Sequence, residues 1–401
     1  MATISAVPAY EGFPMRLVVV LCAATAIGPL AMQIVMPALP IIQGHYAIST
    51  GVTQLVFSVS AFSIALATLL YGPLSDRYGR RPAIIAGLTI YIIGSVVCIL
   101  APSIEWLIFG RVVQAVGGCA GMVLSRAIVR DLFDRERAAQ MIAYITMGMV
   151  IAPMFAPVIG GALIDAFDWR AIFVFGALIG IAIFVFVYRD LNETAPPGTS
   201  DVTGPAAMLR AFGTLLTSRA YLAYCLQGSF SMSVFFAFLA GAPYLVIQTY
   251  GQTPSTYGLY FILISASFIL GNFTAARLSA RFGSDRMIMV GSGGALLGAS
   301  IALGFALSGS WTSIALFGPM CLTAFFQGMS MPNGQAAVVS VFPQMAGSAS
   351  GLAGFVQMGT AASVAQLVGM LQNGTPFPIV VAMSLCALAA LISIIMAVRS
   401  R

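Results

Sequence analysis

The 401-residue chain has no lysine, one histidine and only 7% charged residues. Each shortage removes a class of function. Without lysine there is no G-x-x-x-x-G-K-[ST] phosphate loop, which excludes ATP hydrolysis by that device within this chain. The six cysteines (Cys22, Cys98, Cys119, Cys225, Cys321 and Cys386) form no CxxC and no metal-ligand spacing, which argues against disulfides and structural metals. None of the 12 acidic residues lies deep in an apolar run. Paired acids, a Ser/His pair or metal ligands inside such runs are therefore missing, so an enzyme is not expected and no cofactor is implied. The lone His45 is read as a solvated loop residue without a site.

What the chain does have is apolar surface, with 60% hydrophobic residues against about half in soluble domains. A helix that crosses a bilayer needs about 20 apolar residues. Charges and Gly/Pro breaks predict spans at 16 to 38, 52 to 72, 82 to 101, 105 to 126, 140 to 163 and 170 to 188. After a polar stretch, six more are predicted at 219 to 247, 255 to 276, 286 to 307, 311 to 332, 346 to 370 and 377 to 397. The expectation is an all-α membrane protein with twelve transmembrane helices. The chain's start lacks the basic region of a signal peptide, so an uncleaved first helix is expected.

All 18 basic residues are arginine, and all but Arg111 and Arg170 fall on one predicted face. The positive-inside rule makes that face cytoplasmic and places both termini there. The net charge of +6 reflects orientation and implies no nucleic-acid partner. The chain divides into a tail (1–15), a first half (16–188), a linker (189–218) containing Pro196-Pro-Gly-Thr-Ser-Asp201, and a second half with a short tail (219–401). The halves echo one another at an offset of about 204 residues: Pro40 with Pro243, Arg77-Tyr-Gly79 with Arg281-Phe-Gly283, and Trp106 with Trp311. Two six-helix halves related about the membrane normal put a binding site between them, opened alternately to either face.

Four features carry candidate function. Gly72-Pro-Leu-Ser-Asp-Arg-Tyr-Gly-Arg-Arg-Pro82 reads as a tight charged loop, with Gly72 and Gly79 allowing close approach or positive φ and Pro82 starting the next helix. Within it, Asp76 is placed to accept from a neighbouring helix N-terminus, with Arg77, Arg80 and Arg81 available for pairing. The cluster is either a conformational latch or a solvated turn. Because the second half has Ala276 and Ala280 at the positions of Gly72 and Asp76, any latch is one-sided. Pro157, Gly160 and Gly161, following Pro153, form a kinked, small-faced stretch suited to close helix packing.

Arg111 lies six residues beyond Glu105, about 9 Å deeper in its helix, where an arginine must face the bundle interior or a wet cavity. It serves either as a cavity cation or as a structural donor to carbonyls. By helical spacing and depth, Tyr224, Gln227, Phe230 and Phe326 are the candidate lining residues from the second half.

The segment GPLSDRYGRRP resembles the cytoplasmic loop motif of the major facilitator superfamily, between its second and third helices. The resemblance implies that Asp76 and Arg80 join Asp131 and the start of the eleventh helix near Ser348 as an inner gate. Leu107 to Gly117 resembles the family's fourth-helix arginine motif. Ala156-Pro-Val-Ile-Gly-Gly161 resembles the fifth-helix motif of its antiporters, with Ala156 in place of the usual glycine.

Arg126 to Phe133, Pro332-Asn-Gly334, Gly347 to Gly351 and Gln357 are similar to the bicyclomycin/chloramphenicol-resistance (Bcr/CflA) branch. The resemblance implies a monomeric exporter of hydrophobic drug-like small molecules in a bacterial inner membrane, exchanging cargo for protons. One departure stands out: the acid this branch often carries before Pro-Ala-Leu-Pro in the first helix is Gln33 here. Arg111, lacking a counter-ion and flanked by Gln33 and Gln114, would then favour anionic or electron-rich cargo. The alternative expectation is a dedicated carrier of an organic anion or siderophore-like metabolite using Arg111.

Overall fold

The computed structural model describes residues 15–194 and 205–399. The expected tail through residue 14, the Pro196 to Asp201 segment and Arg401 lie outside the described residues. Among the described residues twelve helices are long and apolar enough to cross a membrane, and the chain is a multi-pass membrane protein. Spans 1 to 6 are Arg16–Tyr46, Thr50–Tyr78, Arg80–Leu100, Ile104–Leu132, Gln140–Ala166 and Ala171–Asp190. Spans 7 to 12 are Arg219–Thr249, Pro254–Phe282, Ser284–Leu307, Ser313–Val341, Pro343–Leu371 and Phe377–Arg399. The end of span 1 is segmented by a 3-10 turn at Met36–Ala38, where Pro37 cannot donate to a regular helix.

Several spans outrun their predicted ends. The largest correction concerns Gly72 to Pro82, which is not a loop: helix continues through Gly72 and Pro73 to Tyr78, and the next begins at Arg80. The reversal is made at Gly79 alone, with φ of 97°, a conformation that costs glycine little because it has no Cβ. Gly283, φ 82°, repeats the device between spans 8 and 9. A backbone leaving a bilayer keeps its groups paired for as long as it can, so charge marks the membrane face earlier than the helix ends. The linker also holds a helix, Pro205–Thr217. Its Leu215 is buried with Tyr221 and Ala349 at the arginine-rich ends of spans 7 and 11.

Small residues set the helix spacing, as expected where apolar side chains gain little by leaving lipid. Within the first half, Gly117 abuts the Tyr91 backbone and Gly121 the Ala24 carbonyl, drawing spans 3 and 1 onto span 4. In the second half, Gly271 meets the Phe325 carbonyl and Gly328 the Phe268 carbonyl, joining spans 8 and 10. The halves themselves meet through spans 2 and 11 and spans 5 and 8. Phe57 of span 2 also packs on Phe236 of span 7, with ring centroids 5.2 Å apart.

Candidate functional site

At the arginine-rich face, the turn at Gly79 brings Arg80 between two carboxylates. Its guanidinium reaches Asp76 at 2.5 Å and Asp131 of span 4 at 2.9 Å, and also donates to Ser75 Oγ at 2.6 Å. Glu193, just beyond span 6, accepts from the Arg80 and Arg81 amides at 2.8 and 3.3 Å. Those amides are the free donors of a helix N-terminus, where a carboxylate is favoured. Arg81 completes the tie by donating to the Leu191 and Tyr188 carbonyls at 2.7 and 2.8 Å. Spans 2, 3, 4 and 6 are thus joined in one cluster.

At the opposite face, hereafter the far face, hydrogen bonds cross between the halves. Gln366 of span 11 donates to the Gly51 carbonyl at 2.8 Å and accepts from Ser58 at 2.6 Å. Gln248 of span 7 reaches the Pro40 carbonyl at 3.2 Å and Gln43 at 3.0 Å. Asp165 of span 5 accepts from the Ser255 amide in the first turn of span 8 at 3.1 Å. Below these contacts runs a glycine seam. A Cβ on Gly161 would lie 2.5 Å from the Pro254 carbonyl oxygen, and one on Gly258 would lie 2.7 Å from the Pro157 carbonyl oxygen. Gly160 presses likewise on the Ile34 carbonyl of span 1. The far face is held closed by backbone-to-backbone contact.

Between the two faces, Arg111 is 2% exposed. It donates to the Ala31 carbonyl of span 1 at 3.0 Å, the Val56 carbonyl of span 2 at 3.3 Å and Gln114 Oε1 at 2.5 Å. Its charge centre lies 6.0 Å from the Phe173 ring centroid. Gln114 passes the network to Ser95 of span 3 at 2.8 Å. The two interhelical acceptors are main-chain oxygens, which fits a frame linking helices more closely than a cation open to cargo.

The sequence profile of the Major Facilitator Superfamily matches residues 21–366. The chain belongs to that superfamily. It is 27% identical over 374 residues to a bicyclomycin resistance protein homolog of Haemophilus influenzae, covering 91% of this chain and 92% of that protein. It is 28% identical over 360 residues to multidrug resistance protein D of Escherichia coli, covering 89% of each. Among solved structures, a D-xylose-proton symporter superposes with a TM-score of 0.74 at 14% identity, covering 94% of this chain and 97% of the other. A bacterial homolog of the human lysosomal transporter Spinster gives 0.73 at 15%, covering 97% and 96%. These structures share the fold of this chain. The protein is a facilitator-type transporter, not an enzyme.

In this facilitator, the residues expected to line a cavity have different settings. Tyr224 donates to Asp285 of span 9 at 2.6 Å, close to the arginine-rich face. Gln227 donates to Ser292 of the same span at 3.2 Å, and the Phe326 ring fills the space beside Gly294. With Gln114, these side chains pack helices within a half. Gln33 and Phe230 are half-buried, and the Gln33 amide oxygen has no protein partner among the described residues.

Within the loop motif, Arg77 lies over the Tyr78 ring, 5.2 Å from its centroid, and is not part of the Arg80 cluster. A Cβ on Gly72 would meet nothing within 4 Å, so this conformation uses only Gly79 as the motif's special glycine. Asp76 turns to Arg80 rather than to span 11. Pro157, Gly160 and Gly161 lie on the close-packed seam.

Sequence reasoning missed Glu193, whose only signal was an acid just past the sixth span. Glu193→Ala is expected to lower stability by about 1 kcal/mol, the usual cost of losing a helix cap. A thermal unfolding comparison of the detergent-purified proteins checks it.

Proposed function

We propose that this facilitator exports drug-like, largely apolar small molecules across a bacterial inner membrane, in exchange for protons, by rocking two six-helix halves. The observation that carries the transport cycle is the seam at Gly161 and Gly258. It closes the far face through contacts between halves, whereas the Arg80–Asp131 cluster lies within one half. The conformation is therefore a closed-outside state, with the arginine-rich face taken as cytoplasmic by the positive-inside rule and cargo admitted from that side. Whole-length similarity to proteins named for bicyclomycin and multidrug resistance supports drug-like cargo.

Among the described residues no carboxylate stands inside the spans at the depth of Arg111, so the acids available for coupling lie at the ends of the path. Asp165 touches both halves at the far face, while Asp76 and Asp131 flank Arg80. Function as a monomer completes the reading. The alternative, a dedicated anion carrier built on Arg111, is disfavoured because that guanidinium is committed to carbonyls of spans 1 and 2.

Proteoliposomes loaded with a pH-sensitive dye test the reading with cationic, neutral and anionic compounds, chloramphenicol among them. Substrate-dependent proton movement opposite to cargo is expected. Cargo movement without proton movement would rule out the exchange, and movement of one anion but no drug would select the dedicated carrier.

A further inference from the structure

Span 4 carries a second arginine that the mechanism above does not use. Arg126 lies on helix, six residues before the end of Ile104–Leu132, toward the arginine-rich end of the span. Long side chains on a helix lean toward its N-terminus. Span 4 runs from the far face inward, so that lean carries Arg126 toward mid-bilayer and away from the arginine-rich face. Its Nη2 lies 3.6 Å from Met149 Sδ of span 5. Met149 is nine residues beyond Gln140, about 13 Å along the helix at the helical rise. Neighbouring Gly148 packs against Cys22 of span 1, where an added Cβ would be 3.3 Å from the Cys22 Cβ.

The surroundings identify the space it faces. Span 4 is hemmed in by span 3 at Gly110 and Gly117, by span 1 at Gly121, and by span 2 through Cys119 and Arg111. What remains open near its inner end is the stripe Met122, Val123, Arg126 and Arg130, half-buried to exposed. On span 5, the exposed stripe Tyr144, Ile151 and Phe155 marks the lipid side, and Met149 lies roughly 140° round the helix from it at 3.6 residues per turn. Arg126 therefore stands on the side of span 4 turned away from spans 1, 2 and 3 and toward Met149.

A guanidinium has five donors, and a thioether is a weak acceptor. No ion pair to a carboxylate forms at Arg126 among the described residues. Arg130, one turn away and donating to the Arg126 carbonyl at 3.4 Å, adds like charge. An arginine whose head group leans back from the membrane face is costly unless it serves a pathway or a partner.

We propose that Arg126 is a cargo-binding residue of the inward-facing vestibule, forming a charge-assisted pair with an anionic oxygen, a carboxylate or phenolate, on an otherwise apolar molecule. This rests on the exporter reading and adds a substrate class to it. Met122 and Met149 supply pliable apolar walls beside the cation. An incoming carboxylate replaces the Met149 sulfur as acceptor, and no bond is made or broken.

The test uses two dyes with a common xanthene skeleton and opposite charge, fluorescein and rhodamine 123. Fluorescence polarisation measures their binding to the whole protein in zwitterionic-lipid nanodiscs. Arg126→Gln is expected to weaken fluorescein binding about tenfold or more, since hydrogen bonds to charged groups are worth about one to two decades. Rhodamine 123 binding should stay within about twofold, which also reports that the variant is folded, and Arg126→Lys should restore part of the fluorescein affinity. No fluorescein binding by the parent, or equal binding by Arg126→Gln, overturns the proposal. Displacement of the dye by phosphatidylglycerol in the discs overturns it in favour of a lipid headgroup. If binding follows the expected pattern but neither dye is transported, the exporter reading falls while the binding assignment stands.

Discussion

Replacing Gly161 by valine is expected to cut transport about a hundredfold while each half stays folded, because the substitution removes the closed-outside state from the cycle. The atoms that a Cβ at residue 161 would meet are the Pro254 carbonyl, at 2.5 Å to oxygen, and Ser255 Cα at 2.8 Å. Both are backbone atoms of span 8, so no rotamer change relieves the overlap and the helices must separate. Overpacking in a rigid setting costs about 1 to 3 kcal/mol. At the upper end, that lowers the closed population about a hundredfold relative to a state in which the far ends stand apart.

Thr53, fully buried near the far end of span 2, reports the shift. In a cysteine-free background, Thr53→Cys should be protected from a membrane-impermeant maleimide and become reactive when Gly161→Val is added. Gly258→Val should behave alike, because its clash is with the Pro157 carbonyl and the Val158 Cα at 2.7 Å. Gly293→Val is the control, with nothing within 4 Å of its added Cβ. Near-normal transport by Gly161→Val, or a Thr53→Cys that stays protected, would show that the seam does not close the outer gate.

The legible parts of the chain and the illegible ones differ by the kind of physics involved. Twelve spans, the two-half arrangement and the one-residue echo at Gly79 and Gly283 follow from local constraints of length, apolarity and φ, and a linear reading captures them. Helix ends were less visible because charge marks the membrane surface while the backbone remains helical beyond it. Span 4 itself shows this: it runs to Leu132, so Arg126 stands on helix at the arginine-rich end of the span.

The surroundings of the lining candidates were hidden for a related reason. Helical spacing groups Tyr224, Gln227 and Phe230 by face, but it cannot say which face meets span 9 and which meets the gap between the halves. Glu193 depended on a contact across 113 residues to the Arg80 amide, and Asp165 on one across 90 residues to Ser255. No local pattern announces either contact.

Arg111 provides the second large effect and separates framework from cargo binding. Arg111→Ala is expected to lose transport of every compound alike, with the unfolding midpoint falling by about 5 °C or more. The Ala31 and Val56 carbonyls would lose charge-assisted donors from span 4, and Gln114 Oε1 would lose its own. Each such bond is worth about 1.5 to 3 kcal/mol, with strong coupling among the three. Arg111→Lys should rescue little, because a compact ammonium on a flexible stem cannot bridge carbonyls on two helices as a planar fork does.

The discriminating measurement is the ratio of fluorescein to chloramphenicol uptake into everted vesicles. A framework role leaves the ratio unchanged as both rates fall, and thermal unfolding moves with them. A cargo-binding role lowers the ratio at constant stability, which is the outcome expected of Arg126→Gln. Were Arg111→Ala to show that pattern instead, the anion site would return to mid-membrane, and the hydrogen bonds to spans 1 and 2 would have to open during the cycle. The two arginines lie fifteen residues apart on one helix, so the same pair of assays applied to both decides which charge meets the cargo.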